Sequence, residues 1–136
     1  IKFMQSKTKV VLIIAALAVL LIAAILNFTE GRYDERLAIA ESLLVFGYEF
    51  ELDDLYLAGE KAHGTIRDLL PGDVDPALAI EVSKGSGFPS DIDREGRVAQ
   101  WLVKTEGEGI ITLFTVNGKT ELGFIQFPGS YEVRPL

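Results

Sequence analysis

The sequence predicts an α+β fold: an N-terminal transmembrane helix with a helical extension, then a small domain of one helix packed on an antiparallel β-meander. Three observations carry this. An uncharged apolar run covers 10–28, apolar residues recur at helical spacing as far as residue 70, and alternating apolar strands follow Pro76 with Asn117-Gly118 between two of them. At 136 residues the chain has room for one compact domain besides the N-terminal segment.

The run VVLIIAALAVLLIAAIL occupies 10–26, and Asn27 is the only strongly polar residue between Val10 and Phe28. At about 1.5 Å per residue it nearly matches a hydrocarbon core of roughly 30 Å. The flank Asn27-Phe28-Thr29-Glu30 is a poor cleavage site, which favours a retained helix over a signal peptide. Lys2, Lys7 and Lys9 precede the run with no acid among them, so the tail is expected inside and the domain outside the cytoplasm. Ala16 and Ala23, seven residues apart, mark a small-residue face for helix association.

Beyond the run, Tyr33, Leu37, Ala40 and Leu44 predict an amphipathic helix stopped at Gly47. Leu52, Leu55, Gly59, Ala62, Ile66 and Leu69 predict a second helix, ended by Pro71-Gly72. Strands are expected over 77–82, 98–105, 110–116, 119–127 and 131–133. Asn117-Gly118 specifies a two-residue type I′ hairpin. Counting outward from it pairs Leu113 with Leu122 and Ile111 with Phe124, forming one buried face that Trp101 joins. The expected organisation is a cytoplasmic tail over 1–9, a transmembrane helix over 10–28, a juxtamembrane stalk over 29–47 and an extracytoplasmic domain over 48–136.

Composition narrows the function. After residue 9 the chain carries ten Lys/Arg against twenty Asp/Glu, a balance that repels phosphate and argues against nucleic acid. There is no cysteine, which removes thiolate metal sites and cysteine nucleophiles. His63 is the single histidine, G-x-S-x-G is absent, and the glycines at 85, 87, 107 and 109 read as turns, so no enzyme is expected. The segment Asp91-Ile92-Asp93-Arg94-Glu95-Gly96 alternates acids before a glycine, as calcium loops do. Asp91, Asp93 and Glu95 are the candidate Ca²⁺ ligands, although Leu102 stands where an EF-hand supplies its closing Glu. No other cofactor is expected.

The leading function is a structural or assembly role, as an anchored subunit of an envelope complex. Its partners would be membrane lipid and protein, the latter being other chains or copies of itself met through the N-terminal helix. A calcium-responsive binding module is an alternative. The layout over 10–26, 32–46 and 98–127 resembles the type IV pilins and related filament subunits. The bacterial members carry Glu at the fifth position of an apolar N-terminus, whereas Gln5 stands here and three lysines precede the run. The resemblance implies a subunit of an extracellular filament, polymerising through its N-terminal helix.

Overall fold

The computed structural model describes residues 2–107, 109–127, 129 and 132–136, with side chains described outside 2–8 and 23–32. The chain divides into two compact units, Ile1–Asp34 and Glu35–Leu136. One helix, α1 (Lys2–Leu44), supplies the first unit and enters the second.

Among the described residues no helix is long and apolar enough to cross a membrane. This overturns the single-pass anchor, and with it the expected location of the domain outside a membrane.

A Schellman turn ends α1 where a stop was expected. Gly47 adopts φ +84°, its N–H donates to Leu44 O at 3.0 Å, and the Tyr48 N–H donates to Leu43 O at 3.2 Å. The buried stripe of the last turns differs from the expected one. Glu35, Ile39 and Leu43 are buried, whereas Tyr33, Leu37 and Leu44 are exposed.

The segment expected as a second helix is instead an edge strand between two 3₁₀ turns. Leu52–Asp54 and Ile66–Asp68 form the turns, and β1 (Tyr56–Gly64) lies between them. Each turn is opened by a reciprocal capping box, from Glu51 to Asp54 and from Thr65 to Asp68. Gly59 and Gly64 disfavour helix by roughly 1 kcal/mol each, and ladder bonds to the next strand decide the competition. The expected strand over 77–82 is likewise a helix, α2 (Pro76–Gly85). Asp75 caps it by accepting from the Ala77 N–H at 3.0 Å, and Pro76 occupies the first turn, where its missing N–H costs nothing.

The remaining strands lie near their expected positions: β2 (Gly96–Lys104), β3 (Ile110–Val116), β4 (Lys119–Gln126) and β5 (Val133–Arg134). All five form one antiparallel meander in the order β1-β2-β3-β4-β5. The hairpin turn is as expected, with Asn117 at φ 52° and Gly118 at φ 81°. Its register is not. Thr115 pairs with Thr120 but Phe114 pairs with Leu122, so Glu121 is an extra residue in β4.

This bulge separates the four residues expected on one face. Leu113 and Ile111 stay with Trp101, Ala99 and Val103 against Ile39 and Leu43 of α1. Leu122 and Phe124 move to the opposite face, with Phe114, Val98 and Val116, against Ile66, Val74 and Ala79. The second unit therefore buries both faces of its sheet.

Candidate functional site

Two surfaces bear on function: the apolar helix of the first unit and the 88–97 region of the second. In the first, every described apolar side chain from Val10 to Ile22 is exposed, with Val10 at 53% and Leu20 at 66%. The exposed positions are consecutive, so the apolar surface encircles the helix instead of forming a stripe. Ala16 lies on this surface, whereas Ala23 falls outside the residues whose side chains are described.

In the second unit, Asp91, Asp93 and Glu95 are all exposed. Asp91 closes a local turn by accepting from the Asp93 N–H at 3.1 Å. Both Asp93 oxygens are taken by the Arg67 guanidinium, at 2.9 and 3.2 Å. The fork-like pair holds the Asp93 carboxyl below its ordinary range, chiefly through these hydrogen bonds, and raises Arg67 correspondingly. The cation that Asp93 holds is thus the side chain of an arginine 26 residues away. No three acids or histidines converge as a metal-binding group among the described residues, and His63 is exposed on β1.

Sequence reasoning missed the two buried carboxylates that organise this region. Glu121, the bulge residue, is 3% exposed and accepts from the Asp91 N–H at 3.0 Å, while its carbonyl accepts from the Ser90 N–H at 2.7 Å. Its other oxygen lies 3.7 Å from Arg94. On the opposite face Glu35 of α1 is 5% exposed, accepts from the Thr115 hydroxyl at 2.9 Å and pairs with Arg97 at 3.3 Å. Both carboxylates are engaged by structural partners and hold loops and helix to the sheet. Glu35 had no signal in the expected stripe, since it lies two residues from both Tyr33 and Leu37; it is four residues before Ile39, which the structure buries. Glu121 had none, because only a register shift turns it inward. Compared with protein families, curated proteins and solved structures, the chain shows no significant match.

Proposed function

We propose that this protein is a structural subunit that assembles through its apolar N-terminal helix. The observation that supports this is the ring of exposed Val, Leu and Ile side chains over 10–22. A helix with one apolar stripe is satisfied by one neighbour. A helix apolar at every angle needs several, because each neighbour covers only one sector. Each large side chain left in water forgoes roughly 1.5–3 kcal/mol of transfer free energy, so association in water is strongly favoured. Ala15, Ala16 and Ala18 let neighbouring helices approach closely. The occupants are the same helices of other copies.

A pilin-like filament is the second reading, favoured by one feature. A single element, Lys2–Leu44, carries both the apolar run and the turns that pack on the antiparallel sheet, which is the layout of such subunits.

The chain has no cysteine, so a single introduced thiol reports association directly. Oxidation of full-length Ala16→Cys is expected to give disulfide-linked dimers, while Glu81→Cys, at an exposed position of α2, gives few. Leu17→Glu should shift the sedimenting species toward monomer. A full-length chain that sediments as a monomer at tens of micromolar, with no excess linkage at residue 16, overturns the assembly reading. Linkage only to different chains would retain the assembly role and remove the filament.

A further inference from the structure

A cleft of about 490 Å³ in the second unit has a composition that the assembly role does not use. Three segments build it: the residues just after α1, the loop between β2 and β3, and the end of β4. Its walls are aromatic and aliphatic, from Tyr48, Phe50, Phe127 and Ile125, and its charged lining groups are Glu49 and Glu106. Among the described residues no lysine or arginine lines it.

Local chemistry sets this arrangement. The Schellman turn at Gly47 reverses the chain and delivers Tyr48 and Phe50, whose rings stack at 6.1 Å and 10°. Thr105 closes the β2–β3 loop, its hydroxyl donating to Gly109 O at 2.7 Å and its N–H to the same oxygen at 3.0 Å. At Gly109 a Cβ would lie 2.6 Å from Ile125 Cδ1 and 3.2 Å from Phe127, so glycine admits both lining side chains.

The charged side chains that line the cleft are both acidic. Both carboxylates are exposed at the rim, and α1 ends beside the cleft with no basic residue in its last turn. The negative end of that helix therefore adds to the field of Glu49 and Glu106. Ring faces present further negative potential to a cation above them. A bare divalent ion would need convergent oxygens, and no such group exists among the described residues. A cation with alkyl substituents instead matches both the apolar walls and the acidic rim. The fold already uses this pairing nearby: the Arg134 guanidinium lies 5.1 Å from the centre of the Phe127 ring, held at 3.0 Å by Glu132.

We propose that this cleft binds an organic cation, an alkylated ammonium supplied either by a free small molecule or by a lysine side chain of a peptide. Its volume falls within the range of small-ligand sites, roughly 300–1,000 Å³. The site lies wholly within the second unit, so its failure leaves the assembly reading untouched, and the reverse also holds.

Calorimetry on the full-length chain tests it with choline, with N-acetyl-lysine methylamide, and with 3,3-dimethylbutan-1-ol, the uncharged carbon analogue of choline. One cationic probe or both should bind saturably, with a Kd of about 1 mM or tighter, and the stronger one identifies the source. The uncharged analogue should bind about tenfold more weakly, and Phe50→Ala should cost about tenfold. Glu106→Gln, a change at an exposed position whose circular dichroism should match the parent, should weaken binding about threefold at low salt and less at high salt. Two results overturn the proposal: no saturation by either cation up to about 20 mM, or equal affinity for the uncharged analogue.

Discussion

Gly47 shows how one residue fixes both an element's end and the surface beside it. Beyond its chain neighbours, no described atom lies within 4 Å of the position a Cβ would take there, so the cost of Gly47→Ala is chiefly the left-handed backbone. It should destabilise the second unit by about 1 kcal/mol in urea denaturation. Exposed carboxylates give a second residue-scale prediction. Asp93 is lowered chiefly by its hydrogen bonds from Arg67, and Asp68 chiefly by the Thr65 N–H. A lowered carboxylate contributes stability above its ordinary pKa of about 3.9 and loses that contribution as pH falls through its folded value. The melting temperature should therefore drop on acidification below about pH 4, and less steeply in Asp93→Asn. Equal acid slopes for the two proteins would contradict this. Arg67, raised from an already high value, adds nothing to that window.

At the scale of elements, β4 is the strand on which the second unit depends. One edge pairs with β3 along its length, but β5 covers the other only at Ile125 and Gln126. The rest of that edge is satisfied from outside the sheet. Ser83 of α2 donates its hydroxyl to Gly123 O at 2.9 Å and accepts from the Gly123 N–H at 3.2 Å. Gly123 leaves room for its neighbours, since a Cβ would lie 2.8 Å from the side chains of both Leu113 and Phe88 and force them to shift. Ser83→Ala removes the partner of a buried N–H and a buried C=O together. The expected cost is about 1–3 kcal/mol, measured by chemical denaturation. A loss below a few tenths would mean the edge is satisfied otherwise. The bulge at Glu121 belongs to the same scale: a register count from the turn is valid only as far as Thr120, and after one extra residue every side chain changes face.

At the scale of the whole molecule, the two units answer to different demands. Glu35–Leu136 buries both faces of its sheet within itself, with Trp101, Phe114 and Phe124 among its fully buried side chains. Ile1–Asp34 leaves its described apolar side chains exposed. A chain cut to 35–136 should therefore unfold in one cooperative transition and sediment as a monomer, whereas the full chain associates. Loss of cooperative unfolding in the shortened chain would show that the second unit needs the first. What the sequence alone determined are the features set by neighbouring residues: the helical apolar run, the stop at Gly47, the Asn117-Gly118 turn, and the spans of β2, β3 and β4. Those follow from backbone sterics and local periodicity, which need no distant partner. Asp75-Pro76 also carried a legible helix start, which the short apolar stretch after it obscured. Tertiary structure alone decided that 56–64 pairs as a strand, that Leu122 and Phe124 face α2 while Leu113 and Ile111 face α1, and that Glu121 is buried. The aromatic and acidic cleft after α1 is of the same kind, since it gathers residues from 47 to 127. Each of these outcomes is a competition between local preference and pairing with residues far along the chain, and only the folded molecule supplies the second term.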